Sequence, residues 1–234
     1  MSNIALLIAG GSGVRMHSSV PKQFMEIYGK PVIAYTLEAF QNHPSIDVIG
    51  VVCLDGWQER LWQYKEQYGI TKLCHVITGG STGQESIRNG IYELERHYAS
   101  GDLVLVHDSI RPMVSEAVIS SCILVARERG NAVTVIPCQE AMLRTDDSIS
   151  SSISVPRDSL KRTQTPQAFK LGEIAAMHRK AEELGIKGST ASCTLAIELG
   201  MPVYFSYGSE KNIKLTTEED LSIFKALLRI RDGN

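Results

Sequence analysis

Long apolar runs are missing from this chain of 234 residues. No stretch approaches the roughly 18 consecutive apolar side chains that a membrane-spanning helix requires, so no membrane association is expected. The apolar opening at residues 4–8 is too short for a secretory signal, lacks a basic leader and runs straight into glycines. Excess charge is missing too: 24 Lys and Arg stand against 26 Asp and Glu, a net charge of −2. Without a broad basic face, nucleic acid is not an expected partner, and a ligand phosphate must be met by a few placed cations. Cysteine is sparse. Cys53, Cys74, Cys122, Cys138 and Cys193 form an odd set with no CxxC or CxxH spacing. That speaks against zinc-finger sites and a disulfide framework. Reduced, mostly buried thiols in a cytoplasmic protein are expected instead.

Two familiar phosphate motifs are also absent. The dinucleotide pattern GxGxxG lacks its third glycine, because Met16 stands there, and GxxxxGK[ST] occurs nowhere. A nicotinamide-dependent oxidoreductase is therefore disfavoured.

What is present is an α/β pattern. Apolar residues make up 43% of the chain, enough for a substantial core. Short runs rich in Val, Ile and Leu at 4–8, 48–54, 74–78, 103–107 and 132–137 predict strands covered on both faces. Helical spacing predicts helices at 31–41, 57–68, 85–98 and 115–129 between them. In the second, Trp57, Leu61, Tyr64 and Tyr68 form one apolar face and are read as a core stripe. The alternation implies right-handed βαβ units in one mainly parallel sheet, a single Rossmann-like α/β domain spanning residues 1–234. Ligands then bind beyond the carboxyl ends of the strands. The segment 139–156 breaks the pattern. It is polar, carries four serines within 148–152 and ends at Pro156, and is read as a protruding β-arm, extended to 139–160. Beyond it, helices are expected at 171–184 and 192–199 and a strand at 203–207. A last helix follows, with Thr216 and Glu219 at capping-box spacing and an apolar face of Leu221, Phe224, Leu227, Leu228 and Ile230.

The chemistry concentrates at strand ends. The first strand runs into Ala9, Gly10, Gly11, Ser12 and Gly13. Glycines there permit close approach of a ligand, and successive N–H groups make an anion-binding concavity. Arg15 and Lys22 add charge to the same loop. Gly80, Ser81 and Ser86 follow the third strand, where small residues and hydroxyls suit a base and ribose; a helix cap by Ser81 or Thr82 is the plainer reading. Asp108 ends the fourth strand, with Arg111 three residues on. Beside phosphates this carboxylate needs a cation or a ribose hydroxyl as neighbour. His107 is read as a structural hydrogen-bonding group.

Gly11-x-Gly13-x-Arg15-Met16 followed by Pro21-Lys22-Gln23 resembles the opening of the cytidylyltransferases for 2-C-methyl-D-erythritol 4-phosphate and for D-ribitol 5-phosphate. The similarity continues in order through Gly79-Gly80 and Ser86, His107-Asp108-Ser109-Ile110-Arg111-Pro112, Arg157, Gln164-Thr165-Pro166-Gln167 and Asn212-Ile213-Lys214. It implies the nucleotidyltransferase version of the sheet and transfer of CMP from CTP to a polyol phosphate, with release of pyrophosphate. It implies further that Arg15, Lys22 and Lys214 are catalytic cations. Ala9, Gly10, Gly11, Ser12, Gly13, Gly80, Ser81, Ser86 and Asp108 would hold the nucleotide. Asp108, Arg111, Arg157, Thr165 and Thr190 would hold the acceptor, and Asp108 would also bind Mg²⁺. The arm would cross to a second subunit of a homodimer, whose Arg157 grips the acceptor phosphate.

The chain departs from the family pattern at Gly83, where an arginine is usual, at Glu140-Ala141 for Asp-Thr, and at Ala191-Ser192 after Thr190, where an acidic position is usual. These departures fall on acceptor recognition and neighbouring residues. Along the chain the resemblance leans slightly to the methylerythritol enzymes, with ribitol phosphate or another polyol phosphate for cell-wall or capsule synthesis as the alternative. Sugar-1-phosphate transferases using other nucleotides, and a non-catalytic nucleotide binder, are the rival readings.

Overall fold

The computed structural model describes residues 1–11 and 20–232. Its elements in chain order are β1 (Asn3–Ala9), β2 (Glu26–Ile27), β3 (Lys30–Pro31), α1 (Val32–Gln41), β4 (Val48–Cys53), α2 (Gln58–Gln67), β5 (Leu73–Thr78), α3 (Gly83–Glu95), β6 (Leu103–Asp108), α4 (Glu116–Arg129), β7 (Asn131–Pro137), β8 (Met142–Arg144), β9 (Ile153–Val155), β10 (Lys161–Lys170), α5 (Leu171–Leu184), α6 (Ser192–Glu198), β11 (Phe205–Tyr207) and α7 (Glu218–Asp232). One sheet has the order β11-β7-β10-β6-β1-β4-β5. The β1–β4, β1–β6, β4–β5 and β7–β11 pairs are parallel. The apolar runs read as strands therefore share one direction in this sheet; β1, β4, β6 and β7 are buried on both faces, whereas β5, at the sheet edge, is half-buried with Cys74 and Thr78 exposed.

Helices cover both faces. On one, α1, α2 and α4 bury Phe40, Leu61 and Cys122 against Leu7 and Leu105 of the sheet. On the other, α3, α5 and α6 pack Ile91, Ile174 and Leu195 against Leu6 and Val104. Leu61 and Tyr64 of α2 are buried and Trp57 and Tyr68 pack at the edge of that core, so the aromatic stripe is a core stripe as expected. The last helix buries Leu221, Phe224 and Leu228 beside Tyr35 of α1. Ile230 does not join them: two residues past Leu228 it stands on the opposite side of α7 and is exposed. The cap also falls one residue later than Thr216–Glu219. Thr217 Oγ1 accepts from Asp220 N–H at 3.3 Å, and Asp220 Oδ2 accepts from the N–H groups of Thr216 and Thr217 at 2.7 and 2.8 Å.

Besides the two-residue strands β2 and β3, the strand not expected is β10. It lies in the middle of the sheet, antiparallel to both β6 and β7. Its ladder with β7 passes from Thr163↔Val135 to Gln167↔Val133, leaving Gln164, Thr165 and Pro166 without partners on that side. The same three residues carry the site, as shown below.

The expected arm is present as an antiparallel hairpin of β8 and β9. Asp147 builds its turn by accepting from Ile149 N–H and Ser150 N–H at 2.9 and 2.8 Å. Between 139 and 159 every side chain but that of Val155 is exposed, including Leu143 and Ile149.

The packing of α3 on the sheet depends on Gly90. A β-carbon there would lie 2.7 Å from Val52 Cγ2 and 2.8 Å from Leu6 Cδ2, both on fully buried residues. In an exposed helix Gly→Ala adds about 1 kcal/mol of stability, but overpacking a core costs about 1–3 kcal/mol. Gly90→Ala is therefore expected to lower the denaturant midpoint, and Gly90→Val to lower it further. A midpoint at or above that of the wild type would contradict this packing.

Candidate active site

The carboxyl ends of β1 and β6 open into a cavity of about 450 Å³. Its floor is Ile8, Ala9 and Asp108, and its walls come from the turn at Lys22, the start of α3, β10, the 190–192 loop and Lys214. This is where an α/β sheet is expected to place its ligand.

Gln23 fixes the approach to the glycine loop. Pro21 starts a single 3-10 turn, Lys22–Phe24, closed by Phe24 N–H donating to Pro21 O at 2.8 Å. Phe24 is buried and stacks on Trp57, with ring centroids 4.1 Å apart. Gln23 is thereby turned inward, and its amide donates to the carbonyls of Ala9 at 2.7 Å and Gly11 at 3.1 Å. The loop's two ends are tied to each other, and Lys22 lines the cavity.

Asp108 is the electrostatic centre. Arg111 Nε donates to Oδ2 at 3.0 Å and Lys214 Nζ to Oδ1 at 3.1 Å. Burial works against the charge, but Lys214 first and Arg111 second outweigh it and hold the carboxyl below its usual range. Arg111 also donates to Asn212 O at 2.7 Å. Asn212 is fully buried and donates to Gln164 Oε1 at 3.2 Å and Thr165 O at 2.9 Å. Thr165 O, left open by the β7 ladder, and the Gln164 side chain thus anchor the segment that delivers Lys214.

His107 completes a directional chain. Asp108 N–H donates to Thr165 Oγ1 at 3.0 Å; the Thr165 hydroxyl lies 3.1 Å from His107 Nδ1, and His107 Nε2 lies 3.3 Å from Arg111 O. A carbonyl only accepts, so Nε2 carries the proton, and Nδ1 takes the hydrogen of Thr165. Burial pushes the His107 pKa down to about 3, fixing the neutral form. The structural role read from the sequence follows from this geometry.

The second loop, after β5, is tied down from within. Thr82 caps α3 by accepting from Glu85 N–H at 3.1 Å. Ser86 is buried, accepts from Gly80 N–H at 3.1 Å and donates to Thr82 O at 2.9 Å. Its Oγ would lie 3.0 Å from a β-carbon at either Gly10 or Gly79, so it presses the two loops together. Ser81 binds the Glu85 carboxylate through both N–H and hydroxyl. Gly80, Ser81 and Ser86 therefore act within their own turn, while Gly83 and Ile87 of α3 reach the cavity. Gln84 reaches the other way. Its Oε1 accepts from Gly188 N–H and Ser189 N–H at 2.7 and 2.9 Å, and its Nε2 donates to Ile186 O at 3.0 Å. One side chain so holds the loop leading to Thr190.

Ala9, Gly11, Lys22, Asp108, Arg111, Thr165, Thr190 and Lys214 share the cavity. Gly10 sits behind it, at Ser86. Ser12, Gly13 and Arg15 lie outside the described residues. Arg157 does not reach this cavity; it is exposed beside the arm and donates to Gln139 O at 2.8 Å. Gln23, Gln164 and Asn212 fell inside quoted motifs without an assigned task, and Gln84 gave no signal of its own.

The family model of IspD, 2-C-methyl-D-erythritol 4-phosphate cytidylyltransferase, matches residues 3–230. The ribitol-5-phosphate cytidylyltransferase of Lacticaseibacillus paracasei is 41% identical over 97% of this chain and 98% of its own, and that of Vibrio parahaemolyticus is 38% identical over 99% and 98%. The 2-C-methyl-D-erythritol 4-phosphate cytidylyltransferase of Geobacter metallireducens is 34% identical over 98% of each. Among solved structures, the 4-diphosphocytidyl-2C-methyl-D-erythritol synthase of Anaerococcus prevotii superposes with a TM-score of 0.83 at 26% identity, covering 97% of this chain and 96% of that one.

The neutral, buried His107 has a pH consequence. Its pKa is about 3 in the fold against 6.5 in the open chain, so the unfolded form takes up the proton first as pH falls. Its stabilising contribution is complete above pH 6.5 and is lost progressively towards pH 3. Stability should fall with acid across this window, and His107→Gln should flatten the fall by up to about 1.4 kcal/mol per pH unit. Urea midpoints at stepped pH check this; parallel curves for the two proteins would contradict it.

Proposed function

The chain belongs to the IspD family of cytidylyltransferases, and we propose that its cavity holds CTP and a polyol phosphate while CMP passes from one to the other. The observation that carries this is the pairing of Arg111 and Lys214 with one carboxylate at the carboxyl end of the sheet, in a cavity that Lys22 also lines. A phosphate oxygen of the acceptor attacks the α-phosphorus of CTP. A new P–O bond forms, the bond to the β-phosphate oxygen breaks, and pyrophosphate leaves with that electron pair. The attacking oxygen is already ionised, so no general base is needed, which agrees with a His107 whose two ring nitrogens are both engaged. Catalysis then rests on placement and charge neutralisation. Lys22 faces the triphosphate, the role that the family resemblance also gives Arg15, and Lys214 stabilises the crowded phosphorus. Thr165 and Thr190 adjoin the acceptor. Ser109 and Ser192 line the same cavity with buried hydroxyls that lack a protein partner, which suits hydroxyl-rich ligands.

Mg²⁺ fits this donor set. Asp108 is the only carboxylate among the described residues lining the cavity, and Mg²⁺ is commonly held by one or two carboxylates plus substrate phosphates. Asp108 would hold the ion, which neutralises phosphate charge when bound.

For the acceptor we favour D-ribitol 5-phosphate over 2-C-methyl-D-erythritol 4-phosphate. Named ribitol enzymes share more of this sequence than the named methylerythritol enzymes do, over nearly the whole chain. The arm supports a homodimer. A lone two-stranded hairpin is marginal in water, and this one exposes Leu143 and Ile149. A partner's arm would bring its Arg157 to a cavity that the chain's own Arg157 does not line. The proposed use of CTP, a nucleotide of the cytoplasm, supports a cytoplasmic location.

Lys22→Ala and Lys214→Ala should each keep the fold and lose roughly 10²–10³-fold in pyrophosphate release, the loss seen when one transition-state donor is removed. The assay uses CTP with a panel of ribitol, methylerythritol, arabinitol, erythritol and glycerol phosphates. Near-normal turnover in either variant removes that residue from the mechanism, and a stronger response to methylerythritol phosphate overturns the acceptor choice. In verified heterodimers, an Arg157→Ala chain mixed with a Lys22→Ala chain should regain activity, because one of the two sites is then intact. Heterodimers as inactive as the parents would refute shared sites.

A further inference from the structure

Away from the cavity, three ligating side chains meet where the C-terminal end of α3 packs on the edge strand β5. His75 belongs to β5 and Glu93 to the last turn of α3; His97 follows in the turn that closes the helix, its N–H donating to Leu94 O at 3.0 Å. Their ligand atoms all fall within 4.8 Å of one another. We propose that His75, Glu93 and His97 bind a transition-metal cation of the Zn²⁺ type, separate from any Mg²⁺ at Asp108.

The geometry is close to a formed site. Zn²⁺ bonds of about 2.0–2.1 Å in a tetrahedral arrangement place neighbouring ligand atoms about 3.3 Å apart. Glu93 Oε1 and His97 Nε2 are already 3.2 Å apart. His75 supplies the third ligand from the strand, its ring centroid 4.9 Å from that of His97. Its Nε2 lies 2.8 Å from the Tyr98 hydroxyl; in the tautomer whose Nε2–H donates to that oxygen, Nδ1 offers a lone pair. An outer hydrogen bond of this kind orients a ligating imidazole. The other carboxylate oxygen of Glu93 is paired with Arg96 at 2.9 Å, so Oε1 is directed to the site. Two imidazoles and one carboxylate select a borderline cation over Mg²⁺ or Ca²⁺, which prefer oxygen. Three protein ligands leave a fourth position for water or an outside ligand. The bound ion would staple α3 to β5, and α3 carries Gly83 and Ile87 into the cavity at its other end.

The test uses the full, untagged protein after chelator treatment, titrated with ZnCl₂ against a chromophoric chelator. One equivalent should bind, His75→Gln and His97→Gln should each weaken it about tenfold or more, and Cys74→Ser, an exposed neighbour, should not. Zn²⁺ should raise the melting temperature of the wild type and not that of the double His variant. Circular dichroism establishes that each variant is folded. Substitution by Co²⁺ in the wild type should give visible bands of a low-coordinate N/O site, a reading that does not depend on any variant. No saturable binding, undiminished binding in the double His variant, or loss of binding only in Cys74→Ser would overturn the proposal.

Discussion

A carboxylate among phosphates repels its own ligand unless cations stand beside it, and Asp108 meets that constraint with Arg111 on one oxygen and Lys214 on the other. Much of the site's construction follows. Arg111 has to be near the strand end, so the chain turns tightly after β6, with Arg111 N–H donating to Asp108 O. Lys214 has to return from far along the sequence. It does so because Asn212, fully buried, is gripped by β10, and because Leu215 N–H donates to Ile110 O. The hydrogen-bond chain through Thr165 and neutral His107 then sets the Asp108 backbone itself. Three stretches distant in sequence, 107–111, 164–165 and 212–215, are locked to one charge.

The sequence was most legible where burial dictates pattern. The parallel strands are nearly continuous apolar runs because helices cover both faces, and their ends predicted where Asp108 and the glycine loop would meet. The strand β10 was hidden for a physical reason. Lys161–Lys170 is mostly polar and carries Pro166, which cannot donate to a ladder, so it reads as a loop. In the fold it holds a central place because its polar groups turn from the ladder to the site: Gln164 binds Ser209 and Asn212, and Thr165 binds Asp108 and His107. The capping box slipped from Thr216–Glu219 to Thr217–Asp220 because adjacent threonines and acidic residues offer two registers, and only backbone direction chooses between them. Of the hydroxyls after β5 that were expected on ligand, Ser86 bridges two loops and Ser81 binds Glu85. A serine's preference for caps and turns gives no means to distinguish the two uses.

Departures from the family pattern gain meaning from their neighbours. Gly83, in place of an arginine, leaves the start of α3 open to the cavity. Ala191-Ser192, in place of an acidic position, sets a small apolar residue and an unpartnered hydroxyl there. Both changes alter charge and hydrogen-bonding capacity at the wall and leave Lys22, Asp108 and Lys214 in place. Such an arrangement can change what is accepted while keeping how the phosphorus is treated, consistent with a family whose named members differ in their polyol.

The central claim is that the cations around Asp108 are the seat of the nucleotide's phosphates. A crystal structure of the protein with CTP and Mg²⁺ tests it directly. The account predicts the triphosphate between Lys22 and Lys214, with the metal on Asp108 and the cytosine towards the loop after β5. CTP seated elsewhere, or phosphates remote from both lysines, would contradict it.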